Sequence, residues 1–163
     1  MNSSALLREL READQLDRKV PGSAIDWTVV SPRDQARRNA VAELLACGEV
    51  RTAEDFYNAA LVYQHGDTAG EIRLAYSLAT ISASLRPDII ESKWLCAAAW
   101  DRLLKYLGRP QWYGTQYIVS PETGKREMYR NNRRAALRIH IFQGTRQNLR
   151  HGAAQRGVSA CLR

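Results

Sequence analysis

Glycine, proline and capping residues cut this chain, up to about Pro110, into short segments, and each segment carries apolar residues at helical spacing. A chain so divided can build neither one long helix nor an extended sheet. It is restricted to a bundle of short helices. Residues 4–18 place Leu6, Leu10, Ala13 and Leu16 near the 3.6-residue period, and Val20-Pro21-Gly22-Ser23 closes that segment. Residues 25–30 are short and partly β-branched, which predicts an extended stretch. Ser31-Pro32-Arg33-Asp34 then supplies a cap residue, a proline suited to the first helical position and an acid soon after. A second helix is expected from there to about Cys47, with Gly48 as its stop.

Thr52-Ala53-Glu54-Asp55 repeats the capping pattern and opens a third helix through Phe56, Ala59, Ala60 and Tyr63 to His65-Gly66. Asp67-Thr68 can cap a fourth, carrying Ile72, Ala75, Leu78, Ala79 and Ile81 toward Leu85. Arg86-Pro87-Asp88 interrupts, because the residue before proline is pushed out of the helical region. A fifth helix is expected over residues 89–107, stopped by Gly108 and Pro110. The texture then changes to Trp112-Tyr113-Gly114-Thr115-Gln116-Tyr117-Ile118-Val119, followed by the turn Pro121-Glu122-Thr123-Gly124. A small β-hairpin near Thr115 to Tyr129 is the expectation. A further helix is expected at 134–141, and 143–163 lacks periodicity and should be loosely held. The fold class is therefore all-α: about five helices, consecutive ones antiparallel, in one domain over residues 1–130, with a basic extension at 131–163.

With 163 residues the chain can bury a real core without disulfides. Its longest apolar runs, such as residues 95–100, fall far short of the ~20 residues a membrane helix needs. The N-terminal residues mix both charge signs and lack the apolar run of a secretory leader, so a cytoplasmic protein with no membrane partner is expected. Cys47, Cys96 and Cys161 are widely spaced, which favours reduced thiols packed as small apolar residues over metal ligands.

The net charge of +7 is uneven. Residues 1–124 hold 14 Lys and Arg against 16 Asp and Glu, a balance of −2, while residues 125–163 hold ten against one, a balance of +9. Such a tail can neutralise nucleic-acid phosphates. Tyr129 and Phe142 are its only aromatic residues and no nucleic-acid-binding fold accompanies it, which favours a solvated extension with no selected partner.

Three clusters could carry chemistry. In Gln64-His65-Gly66-Asp67 an imidazole ends one helix and a carboxylate starts the next. Its structural alternative is His65 on a helix C-terminus and Asp67 as a cap. Asp101 and Arg102 flank the apolar face of the fifth segment. They need either a wet cavity or partners, for example Lys105 one turn on from Asp101. Gly108-Arg109-Pro110-Gln111-Trp112-Tyr113-Gly114-Thr115-Gln116 is dense in directional donors and rings, and it is either a binding loop or a cap on the bundle.

The ordered combination of Asp55-Phe56-Tyr57, Ala59-Ala60, Gln64-His65-Gly66, Lys93-Trp94-Leu95, Asp101-Arg102 and Pro110-Gln111 with Tyr113-Gly114-Thr115-Gln116 resembles a bacterial domain-of-unknown-function family, DUF6624, over residues 25–118. The resemblance implies a helical domain whose signature residues are Gln64, His65, Asp101, Arg102, Gln111, Tyr113, Thr115 and Gln116. It implies no reaction. The basic tail departs from such a domain.

Two functional expectations follow. In one, the signature residues converge on a polar pocket for a small anionic or amide-bearing molecule. His65 and Asp101 are then its candidate catalytic groups, and Gln64, Arg102, Gln111, Tyr113, Thr115 and Gln116 its binding groups. In the other, the signature is architectural and the chain is a non-catalytic interaction module. No phosphate-binding glycine loop, dinucleotide fingerprint, nucleophile elbow or zinc helix occurs, and His65, His140 and His151 are scattered. No metal or other cofactor is therefore expected.

Overall fold

A computed structural model describes residues 3–20, 24–120 and 124–129. Five helices and one hairpin follow in order: α1 (Ser3–Leu16), α2 (Trp27–Ala46), α3 (Ala53–Gln64), α4 (Ala69–Leu85), α5 (Ile90–Tyr106), β1 (Tyr117–Val119) and β2 (Arg126–Met128). The expected all-α architecture with a small hairpin is the observed one. The helix expected at 134–141, the residues 143–163 expected to be loosely held, and all of the basic stretch beyond residue 129 lie outside the described residues.

The capping signals act as the sequence implies. Thr52 and Thr68 each accept from the third backbone N–H of their helix, while Asp55 and Glu71 reach back to the caps, so both capping boxes are complete. Gly48 and Gly108 take φ of 67° and 64° after α2 and α5, a left-handed stop that L side chains disfavour.

The expected extended stretch at 25–30 is not observed. Asp26 caps α2 instead, accepting from Thr28 N at 3.0 Å, and Trp27 to Val30 form the first turn. Pro32 consequently lies inside the helix, near enough to its start that the ring interrupts only the opening of the ladder. Cys96 is partly buried as expected, but Cys47 is exposed at the end of α2 and packs into no core.

Side-chain ties fix the helix directions. Ser82 Oγ near the end of α4 donates to Ala53 O at the start of α3 (2.7 Å) and lies 2.8 Å from Ser92 Oγ near the start of α5. Both consecutive pairs are therefore antiparallel. Arg8 of α1 meets Glu54 at the start of α3, and Asp14 meets His65 at its end, so α1 runs parallel to α3. Leu7, Val41, Ala59, Ala60, Val62, Ala75, Leu78, Ala79, Leu95 and Ala99 form the core where these helices meet. The many alanines let α3, α4 and α5 approach closely.

This arrangement gathers the C-terminal ends of α1 and α3, the start of α4 and the later half of α5 at one end of the bundle. The hairpin pairs Tyr117 with Met128, Ile118 with Glu127 and Val119 with Arg126, antiparallel. It follows directly on the loop that leaves α5.

Candidate functional site

The end of the bundle described above is built on the turn His65-Gly66-Asp67. A Cβ on Gly66 would stand 2.5 Å from Glu71 Cβ and 3.0 Å from Tyr63 O, so only glycine lets the turn close against α4. Glu71 Oε2 accepts from Asp67 N at 2.9 Å and Thr68 N at 3.0 Å. Burial raises the Glu71 pKa. Those N–H donors, the Thr68 hydroxyl and the Arg38 charge outweigh it, holding the carboxyl below its usual range. Thr68, not Asp67, caps α4, and Asp67 instead pairs with Arg38 at 2.8 Å.

Carbonyls left open at the end of α3 attract cations. Arg38 Nη1 donates to His65 O at 3.3 Å, and Arg102 Nη2 to Gly66 O at 3.1 Å. Arg38 is 2% exposed and also contacts Gln35 Oε1 and Glu71 Oε1 at 2.9 and 2.8 Å.

The His65 ring turns toward α1. Its Nδ1 lies 3.1 and 3.0 Å from the two oxygens of Asp14, which is 1% exposed. Arg18 donates to Asp14 Oδ1 (2.9 Å) and to Asp34 (2.5 Å); Arg37 bridges Asp34 (2.6 Å) and Asp17; Arg33 reaches Asp17 at 3.1 Å. Acids and bases thus alternate from the surface of α2 across α1 to the imidazole. Burial raises the Asp17 pKa, but Arg37 and Arg33 bring it below the ordinary range. Asp14, Asp34, Arg18, Arg37 and Arg38 do not stand out as site residues in the sequence. The spacing of Asp14 and Arg18 by four, and of Asp34 and Arg37 by three, is the one local signal that could have pointed to them.

Arg102 is largely buried, and its desolvation pushes the guanidinium pKa down. Its Nε is buried without a hydrogen-bond partner, and among the described residues it bonds no carboxylate. Gln64, beside His65, is buried as well, with Oε1 unpartnered.

Asp101 is next to Arg102 in sequence and faces another way. Fully buried, its carboxylate accepts from Trp112 N (2.6 Å), Tyr113 N (3.0 Å), Thr115 N (2.9 Å) and Thr115 Oγ1 (2.9 Å). It winds the loop after α5 around itself. Lys105, expected as an ion partner, has its Nζ 5.1 Å from the Tyr129 ring centroid. Gln111 acts like a short strand, accepting from Gln116 N (2.8 Å) and donating to Gln116 O and Tyr129 O (3.2 and 2.7 Å). Gln116 Nε2 donates to Ala98 O at 3.1 Å. The Tyr113 side chain is left partly exposed, and Trp112 stacks edge-on to Trp100 at 5.3 Å.

The signature residues therefore divide. His65 and Arg102 meet at the 65–67 turn, which Gln64 directly precedes, while Asp101, Gln111, Tyr113, Thr115 and Gln116 belong to the loop knot. Among the described residues no group of acids, histidines and cysteines is arranged to hold a metal, and no helix is long and apolar enough to cross a membrane. Comparison with family models, with curated proteins and with solved structures returns no match.

Proposed function

We propose that the 65–67 turn binds a small anionic or amide-bearing molecule, with Arg102 as the recognition group and His65 as the acid or base where chemistry occurs. The observation that carries this reading is Arg102: a desolvated guanidinium, its Nε unmet, held by the carbonyl of Gly66, the residue that follows His65. The main charge supporting Arg102 is Asp67, which is itself paired with Arg38, so the desolvated cation costs stability, and an incoming carboxylate or phosphate would offset that cost through the guanidinium fork. On this reading the loop knot shapes the site without touching the ligand. The DUF6624 resemblance accompanies the proposal as a proposed kinship, without adding a reaction.

Calorimetry and thermal shift against inorganic phosphate, acetate, succinate and acetamide test it. Saturable binding by at least one probe, lost in Arg102→Ala with the helical circular dichroism intact, is the expected result. Ligand held at a hundredfold its Kd stabilises by about 2.7 kcal/mol, which such a melt resolves. No saturable binding, or equal binding by Arg102→Ala, overturns it. The second reading, a non-catalytic interaction module, is favoured by Asp101, Gln111 and Gln116, whose hydrogen bonds are spent on the loop. A full panel without binding supports that reading.

A further inference from the structure

We infer that Asp14 is the positioning residue of this site: it fixes the neutral His65 ring as the Nδ1–H tautomer and leaves Nε2 as the nitrogen that exchanges a proton. The inference rests on the proposed role of His65. Its structural basis is separate.

A carboxylate accepts and does not donate, so an imidazole nitrogen within 3.1 Å of both Asp14 oxygens must be the donor. The second ring nitrogen is then the basic one, the arrangement in which an acid orients a histidine for proton transfer. Asp14 can hold this orientation because it is itself held. Arg18 Nη1 binds both its side chain and its backbone carbonyl, at 2.9 and 3.0 Å, and Gln15 Nε2 donates to Oδ2 at 2.8 Å. Arg18 is in turn anchored to Asp34, and Asp34 to Arg37, so displacing the carboxylate means breaking ties to α2 as well as α1. From the other side the His65 backbone is pinned, its carbonyl by Arg38 and the next carbonyl by Arg102. Backbone and ring are thus fixed independently, which is what a reproducible proton-transfer geometry requires.

A buried ion-pair ladder could also serve stability alone, and the tautomer separates the two roles. Asp14→Ala removes the acceptor altogether, while Arg18 keeps its bond to Asp34, so nothing holds the proton on Nδ1 and the ring is left to the form that free histidine favours in water. The ring should then switch to Nε2–H.

The test is two-dimensional NMR of imidazole 15N resonances in the ligand-free protein, in mildly alkaline buffer. The expected wild-type spectrum shows His65 protonated at Nδ1, and Asp14→Ala shows it protonated mainly at Nε2 with the remaining spectrum preserved. A wild-type ring protonated at Nε2, or a mixture of the two tautomers, overturns the inference. So does an unchanged Nδ1–H form in a folded Asp14→Ala. If that variant does not fold, the wild-type spectrum alone decides, and Arg18→Lys, which loosens the carboxylate while keeping the charge, should show a mixture. No ligand is present, so a wrong tautomer leaves the binding proposal standing. A correct tautomer in a protein that binds nothing removes only that proposal.

Discussion

Asp14 and Asp101 are both buried aspartates in helices, at 1% and 0% exposure, yet they are satisfied in opposite ways. Asp101 takes neutral donors, backbone N–H groups and a hydroxyl, all from the loop that follows its own helix. Asp14 shares its oxygens with a guanidinium from just beyond α1 and an imidazole from the end of α3. The first arrangement can be assembled locally and contains nothing to exchange a proton with. The second needs the tertiary fold and places a titratable ring against the acid. Signature residues on neighbouring sequence positions can therefore do different work, and here the division falls between Asp101 and Arg102.

The largest effect is expected from removing the neutral cradle. Asp101→Ala takes the shared acceptor from the N–H groups of Trp112, Tyr113 and Thr115 and should lower unfolding free energy by about 2–4 kcal/mol, read from urea denaturation. A loss below about 1 kcal/mol would mean that the loop is not organised by this residue.

Gly66→Ala attacks the other region. A Cβ 2.5 Å from Glu71 Cβ must push the 65–67 turn off α4, at a cost of about 1–3 kcal/mol. The His65 resonances should shift while those of Trp112 hold. Equal shifts in both would show that the two regions are one mechanical unit.

Acid should erode the turn as well. Glu71 has its pKa depressed in the folded state, so its contribution is present above the ordinary carboxylate range and is lost as pH falls through the depressed value; Asp17 and Asp55 act in the same direction. Melting temperature should fall on acidification, and Glu71→Gln, costing about 1 kcal/mol at neutral pH, should flatten that fall. An unchanged slope in the variant would separate the turn from acid stability.

The sequence discloses what is local. Thr52, Thr68, Gly48 and Gly108 bound the helices because capping involves only a few consecutive residues. Residues 27–30 misled for the same reason: Thr28, Val29 and Val30 look β-forming and Ser31-Pro32 looks like a start, but Asp26 captures Thr28 N first and the helix forms through them. His65 and Arg102 were legible as candidates and do gather at one turn. Asp14, Asp34 and Arg37 were not, since charged residues on an amphipathic helix look the same whether they face solvent or another helix. What distinguishes them is the crossing of α1 over α2, which no short window of sequence contains.

The smallest expected change in stability is the one that most sharpens the comparison. In Arg102→Met the protein loses one hydrogen bond to Gly66 O, worth about 1 kcal/mol net, and is relieved of a charge whose desolvation already lowers its pKa. Apolar replacement of a poorly compensated buried charge is often neutral or stabilising, so the urea midpoint should move by less than about 1 kcal/mol in either direction. Asp101→Ala, one residue away, should cost several times more. If Arg102→Met instead costs about 3 kcal/mol or more, Arg102 is a structural brace like its neighbour, and the case for a ligand at the turn loses its principal support. A silent Arg102→Met that also abolishes anion binding would mean that this cation serves binding and not the fold, and a stabilising one that it is kept at the expense of stability, as groups reserved for function are.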